Sequence, residues 1–147
     1  KKSDVCFILF GLEGMGLLGS KGFAARHKNE MKTKLLVNFD CVSDGDHMLF
    51  VLNKHASQRY EKAFAEAFVP SEKKTVHLEK AQNTYYPSDQ KGFPVSVAVS
   101  AMKKARVLGL YLDRIHTKKD TVMDETNLAY ICDGTTRLLT KLSENIP

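Results

Sequence analysis

The sequence predicts an α/β protein built as a three-layer sandwich, with helices on both faces of a mostly parallel sheet. Short apolar segments of strand length alternate along the chain with longer segments of helical period. The composition, with 43% hydrophobic and 27% charged residues, is typical of a globular domain. The length of 147 residues fits one domain and no repeat or linker divides it, so residues 1–147 are expected to form a single domain.

Six segments are predicted to be strands. The first, residues 4–10, is continuously apolar and rich in β-branched and aromatic residues, which is typical of a strand buried on both faces. In the second, Leu35 and Val37 alternate with Asn38 and Asp40, so one face is apolar and the other polar. The predicted strands are 4–10, 34–42, 47–52, 75–78, 94–99 and 107–112.

Three segments are predicted to be helices, at residues 17–29, 56–68 and 124–143. The second places Tyr60, Phe64 and Phe68 four residues apart on one stripe. The third has apolar residues at helical spacing, and Asp124 or Thr126 is suited to cap its first turn. Loops are expected at residues 11–16, 81–93 and 113–121.

Composition and charge exclude several function classes. The formal charge is +5, but the basic pairs lie far apart without aromatic residues between them, which argues against nucleic-acid binding. No membrane segment is expected, because the apolar runs fall far short of the ~20 residues that span a bilayer, and no signal peptide is evident. The cysteines predict buried free thiols rather than a disulfide framework. Four histidines show no mutual ligand spacing: His27, His47, His55 and His77.

The glycines at positions 14, 16 and 19 form a G-x-G-x-x-G motif between the first predicted strand and the first predicted helix. Asp40 lies at the end of the next strand, where the dinucleotide-binding fingerprint places a carboxylate that binds ribose. However, Glu13 would put an anion beside a pyrophosphate, and the loop after Phe10 is longer than the fingerprint's tight turn. A dinucleotide-binding module is therefore the less favoured alternative.

A second interpretation starts from Glu13, Asp40 and His116, which follow or end the predicted strands 4–10, 34–42 and 107–112. The carboxyl ends of strands form the ligand-binding edge of an open α/β sheet, so we expect these side chains to gather in one substrate-sized pocket. Carboxylate and imidazole groups together are what zinc hydrolases use as metal ligands and general base.

The segment FGLEGMGLLGSKGF, which begins at Phe10, is followed along the chain by VNFDCV, YYPSDQKGFP and RIHTKKDT. Their order and spacing resemble those of the zinc aminopeptidases of metallopeptidase family 28. In that family the corresponding motifs are F-x-x-E-E-x-G-L-x-G-S, N-x-D-x-V, S-D…G-I-P and H-T-x-x-D-T. The resemblance runs from Val5 to about Leu139 and implies the aminopeptidase/phosphorylase-hydrolase-like fold, with the domain's amino-terminal part expected before Lys1.

The resemblance implies roles for four residues. Glu13 matches the general base that takes a proton from metal-bound water, while Asp40 and His116 match terminal ligands of two different zinc ions. Asp120 matches the acid that orients the histidine loop. The implied reaction is hydrolysis of the N-terminal peptide bond of a peptide or small amino-acyl substrate.

Other positions refine or weaken this match. Ser88 and Asp89 correspond to a segment on the substrate side, although Gln90 stands where the family often has histidine. The family's second glutamate, a zinc ligand, falls on Gly14, and the remaining ligands are expected in the segment before Lys1. Catalytic zinc normally needs about three protein ligands. We therefore expect weak or no zinc binding and no activity from this chain alone, with a non-catalytic binding or scaffold domain as the alternative.

Overall fold

The computed structural model describes residues 4–144, and within them the chain forms one mixed sheet with three α-helices. The strands are β1 (Leu36–Phe39), β2 (His47–Leu52), β3 (Thr75–Lys80), β4 (Ser96–Ala105) and β5 (Gly109–Tyr111). The helices are α1 (Leu18–Arg26), α2 (Lys54–Ala67) and α3 (Glu125–Glu144), with 3-10 turns at Glu30–Lys32 and Asp89–Gly92. The predicted α/β class is confirmed.

The strand order across the sheet is β1-β4-β2-β3, and β5 pairs with the carboxyl-terminal end of β4. β1 is parallel to β4 and β2 is parallel to β3, whereas β4 runs antiparallel to both β2 and β5. In this register Phe39 lies opposite Val99, and Leu49 lies opposite His77. β5 therefore turns the chain back along β4, so that the loop after it returns toward the carboxyl end of β1.

The main core lies between one face of the sheet and the pair of helices α2 and α3. Phe50 of β2 packs with its ring centre 4.5 Å from that of Phe68, and Ile131 and Leu138 of α3 complete the layer. The alternation of strand side chains explains this partition, because neighbouring residues of β2 and β4 point to opposite faces. The other face is apolar too, and it is covered by three partly buried side chains, Tyr86, Leu110 and Leu112.

The segment 4–10 is not a strand, so the first strand prediction is wrong. Phe7 is 92% exposed and Leu9 is fully exposed. Ile8 and Phe10 are half-buried, and the ring of Phe10 lies 5.8 Å from those of Phe23 and Phe93. A buried strand needs neighbours for its backbone N–H and C=O groups. Within residues 4–144 no strand pairs with this segment, so its apolar pattern has no sheet to join.

Side-chain caps fix where α2 and α3 begin. Asn53 accepts a hydrogen bond from the Ala56 N–H at 2.9 Å, and its amide donates to the Phe93 and Pro94 carbonyl oxygens, which joins α2 to the start of β4. Asp124 accepts from the N–H and hydroxyl of Thr126, as the sequence predicts. None of the helices in residues 4–144 is both long and apolar enough to cross a membrane.

The cysteines are free, but Cys6 and Cys132 are exposed, so the prediction of buried thiols is wrong for these two. Cys6 lies on the unpaired segment 4–10, and Cys132 lies on the outer side of α3, where the helical period places it away from Ile131. Cys41 is half-buried at the carboxyl end of β1.

Candidate functional site

Asp40 directly follows β1 and is held by hydrogen bonds on both carboxylate oxygens. The buried Ser88 hydroxyl donates to one oxygen at 2.6 Å, and the Cys41 thiol donates to the other at 3.2 Å. The Asn38 amide, two residues earlier on the same strand face, donates to Ser88 at 3.0 Å and to Gln90 at 3.1 Å. These contacts fasten the loop that carries Ser88 to the end of β1.

The backbone at Cys41 is left-handed, with φ of 54°, which is uncommon outside glycine. Its carbonyl oxygen accepts from the Ala101 N–H at 3.0 Å, so the turn is fixed by β4. Burial, together with the hydrogen bond to Asp40 and its negative charge, raises the pKa of the Cys41 thiol to about 12. The thiol therefore stays protonated at neutral pH and serves as a donor to Asp40.

The loop that carries Glu13 folds back on the first turn of α1. The Glu13 carbonyl accepts from the Gly16 and Leu17 N–H groups at 3.0 and 2.9 Å, while the residue itself is exposed. At Gly19 a Cβ atom would lie 2.3 Å from the Gly11 carbonyl oxygen, so this close approach requires glycine. The motif's last glycine thus serves helix–loop packing, and with residues 4–10 unpaired the strand that a dinucleotide-binding turn needs is not formed.

An aromatic cluster links this loop to the segment bound to Asp40. Phe23 of α1 packs near both Phe10 and Phe93, with ring centres 5.8 and 6.2 Å apart. Phe93 follows the 3-10 turn Asp89–Gly92, and α1 contacts that turn directly. The Glu13 loop and the Ser88–Asp40 pair are therefore on neighbouring elements, although no hydrogen bond links Glu13 to Asp40 among the described contacts.

His116 and Asp120 lie on the exposed loop between β5 and α3. This loop is tied to the chain just after β1, because Arg114 lies 3.5 Å from the Asp44 carboxylate and the Asp124 N–H donates to the Ser43 carbonyl at 2.8 Å. The charge of Asp120 contributes, after burial and Asp40, to the raised pKa of the Cys41 thiol. The loop therefore reaches the same end of β1, with His116 on its surface at φ of 61°.

The described residues do not form the metal centre that the resemblance implies. Within residues 4–144 no three His, Cys, Asp or Glu side chains converge in a way that holds an ion. Gly14 offers no ligand, and a Cβ placed there would meet nothing within 4 Å, so neither packing nor backbone conformation demands glycine. The roles of Glu13, Asp40 and His116 accordingly stay predictions.

Two features of this region were not predicted from the sequence, the role of Asn38 and the buried oxygen of Asp89. Asn38 organises the Ser88 loop, and its signal was the polar i, i+2 pairing with Asp40 on one strand face. One carboxylate oxygen of Asp89 is buried without a hydrogen-bond partner among the described residues. Such acceptors are uncommon among buried groups, which usually bind protein donors, water or an ion. Asp89 lies on the segment predicted to face substrate.

The strand-end loops of this α/β sheet carry carboxylate and imidazole groups, which metal-dependent hydrolases use as ligands and general bases. Residues 1–134 match the family model described as Peptidase family M28, and the chain belongs to this family of metallopeptidases. No curated protein and no solved structure matches the chain.

Proposed function

We propose that this chain contributes the loops of a zinc-dependent aminopeptidase-type domain and that, by itself, it does not hydrolyse peptides. The observation that carries the proposal is Gly14. The family places a zinc-binding glutamate at this position, and the open space around the glycine means that the fold does not require its loss. The missing carboxylate is therefore a change in chemistry rather than a consequence of packing.

In this proposal the remaining site residues keep their family positions. Glu13 is the general base, Asp40 and His116 are the metal positions, and Asp120 orients the histidine loop. The network around Asp40 supports this assignment, because Ser88 and Asn38 fix the carboxylate at a strand end as ligand carboxylates usually are. The substrate is a peptide with a free N-terminus. Ser88 and Asp89 belong to the segment that lines the substrate-binding side of the site.

The ligand count explains the expected lack of turnover. Catalytic zinc is held by about three protein ligands, whereas Asp40 and His116 match ligands of two different ions. One ligand per ion does not retain zinc against water.

The test combines turnover with ligand-directed variants. The purified 147-residue chain is incubated with zinc and assayed on a leucine anilide, next to Glu13→Gln and to a double Asp40→Asn, His116→Gln variant. We expect no hydrolysis, and we expect the double variant to bind as much zinc as the parent. Gly14→Glu alone is expected to leave the chain inactive.

Either of two results overturns the proposal. One is hydrolysis that falls by about 10²–10⁴-fold in Glu13→Gln, as expected when a general base is removed. The other is bound zinc that is lost in the Asp40→Asn, His116→Gln variant. A peptide that binds without being cleaved favours the alternative function, a non-catalytic binding domain of the same family.

A further inference from the structure

A pair of histidines lies on β2 and β3, on the far side of β4 from β1 and Asp40. His47 begins β2 and His77 lies within β3, opposite Leu49. Because residues two apart on a strand share a face, His47, Leu49 and His77 lie on the same face of the sheet. The Nδ1 atom of His47 and the Nε2 atom of His77 are 2.8 Å apart. The two imidazoles therefore face each other across neighbouring strands.

The spacing of the rings suits a tetrahedral metal ion. A zinc ion lies about 2.0–2.1 Å from an imidazole nitrogen and hence roughly 3.2 Å from the ring centre. The ring centres of His47 and His77 are 5.1 Å apart. An ion at that distance from both centres makes an angle of roughly 105–110° with them, close to the tetrahedral angle. The facing nitrogens are hydrogen-bonded at 2.8 Å, whereas a tetrahedral ion needs them roughly 3.3 Å apart. Metal binding would therefore replace this hydrogen bond, and the rings would turn slightly apart about their side-chain bonds.

The surroundings provide a nearby carboxylate and room for water. The exposed Asp46 carboxylate lies 3.9 Å from Nε2 of His47, which is too far for a hydrogen bond, so it acts on the ring through its charge. His47 also lines an open cavity of about 540 Å³, whose other lining residues include three aspartates and four lysines. Solvent can therefore fill the coordination positions that the two imidazoles leave.

The nearby charges partly offset one another. Burial, the neighbouring His47 and the cation of Lys104 lower the pKa of His77, while Glu79 acts in the opposite direction. His77 is therefore neutral at pH 7, the form that binds metal. The cavity's four lysines, Lys73, Lys74, Lys103 and Lys104, oppose a bound cation, although Asp124 pairs with Lys74 and Asp44 with Lys103. Asp46 and Glu79 favour it.

We propose that His47 and His77 form a binding site for a divalent transition-metal ion, zinc or copper(II), with water in the remaining positions. The site is separate from Asp40 and His116 and does not rest on the proposed peptidase function. With two protein ligands it is weaker than a four-ligand structural or a three-ligand catalytic zinc site.

The experiment is titration calorimetry of the purified full chain with Zn²⁺ alone and with Cu²⁺ alone at neutral pH. The variants are His47→Gln and His77→Gln, and His55→Gln is the control because His55 is exposed on α2. We expect one ion per chain, at least tenfold weaker binding in both pair variants, and unchanged binding in the control. Binding should also persist in the Asp40→Asn, His116→Gln double variant, which separates this site from the peptidase site.

Three results overturn the proposal: no stoichiometric binding, pair variants that bind like the parent, or binding lost only in the Asp40→Asn, His116→Gln variant. If a histidine variant unfolds, electron spin resonance of Cu²⁺ bound to the unmodified chain decides. Coupling to two imidazole nitrogens supports the site, and coupling to one or none contradicts it.

Discussion

Gly134 in α3 is a position where the usual effect of a helix glycine is expected to reverse. Replacing a helix-interior glycine by alanine normally stabilises a protein by about 0.5–1 kcal/mol, because glycine loses more backbone freedom on folding. At Gly134 the added Cβ would lie 2.1 Å from Cε1 and 2.3 Å from Cδ1 of Phe68. That ring is 1% exposed and packs 4.5 Å from the ring of Phe50, so it has little room to move.

The cost of overpacking and the gain in helix propensity together determine whether Gly134→Ala stabilises or destabilises the protein. Overpacking a filled core costs about 1–3 kcal/mol, and the rigid ring places Gly134→Ala toward the upper end of that range. After the helix-propensity gain is subtracted, the free energy of unfolding should fall by about 1–2 kcal/mol. For a domain of this size each kcal/mol lowers Tm by roughly 2–4 °C.

Urea unfolding followed by far-UV circular dichroism measures this change. The matched control is Gly22→Ala in α1, where a Cβ meets nothing within 4 Å, so it should leave stability unchanged or raise it by up to about 1 kcal/mol. Adding Phe68→Leu to Gly134→Ala should recover part of the loss. If Gly134→Ala is as stable as Gly22→Ala, the packing of α3 on α2 described above is incorrect.

Two further predictions concern the helix caps. Asn53→Ala should lower the free energy of unfolding by at least the roughly 0.5–2 kcal/mol of a lost N-cap. Asn53→Asp keeps the acceptor for the Ala56 N–H but loses the amide donors, so its stability should lie between those of the parent and Asn53→Ala. Equal stability of all three proteins in urea contradicts this prediction. Hydrogen bonds from the Thr126 hydroxyl and N–H, and then the charge of Lys74, lower the pKa of Asp124 from 3.8. A carboxyl group whose pKa is lower in the folded protein than in the unfolded chain stabilises the fold. This stabilisation is complete at pH values above the pKa of the unfolded chain, and it is lost as the pH falls through the pKa of the folded protein. The stability gap between the parent and Asp124→Asn should therefore shrink toward acid pH, and a gap that widens there contradicts the assignment.

Many of the helices and strands could be predicted from the sequence, because local patterns of residues define them. β2 was predicted with its observed bounds, since the mainly apolar segment 47–52 follows the turn Asp44-Gly45-Asp46. The stripe of Tyr60, Phe64 and Phe68 likewise indicated α2, and these residues do pack on the sheet. The order of strands and the two antiparallel pairings could not be predicted, because they depend on which edges meet rather than on any one segment.

The candidate sites were harder to predict than the helices and strands, because their residues are far apart in the sequence. The hydrogen bond from Ser88 to Asp40 joins residues 48 positions apart, and only the family motifs suggested that they belong together. His47 and His77 have no ligand spacing along the chain and become neighbours only through the register of β2 and β3. Residue type and order thus indicated the chemistry near Asp40, whereas they gave no indication of the histidine pair.

The unpaired state of residues 4–10 can be tested directly. If this segment is unpaired, as the structure has it, replacing the exposed Phe7 or Leu9 by serine removes no packing. Either change should alter the free energy of unfolding by no more than about 0.5 kcal/mol. Phe10→Ala, in contrast, removes the ring that contacts Phe23 and Phe93.

A buried Phe→Ala change costs about 3–5 kcal/mol, and the half-buried Phe10 should cost roughly half of that. The three variants are compared with the parent by urea unfolding at a protein concentration where light scattering shows a monomer. A loss in Phe7→Ser as large as that in Phe10→Ala would mean that the segment is packed in a sheet after all. In that case the strand predicted from its apolar pattern exists, and the loop of Glu13 starts from the carboxyl end of a strand, as dinucleotide-binding and peptidase sites both require.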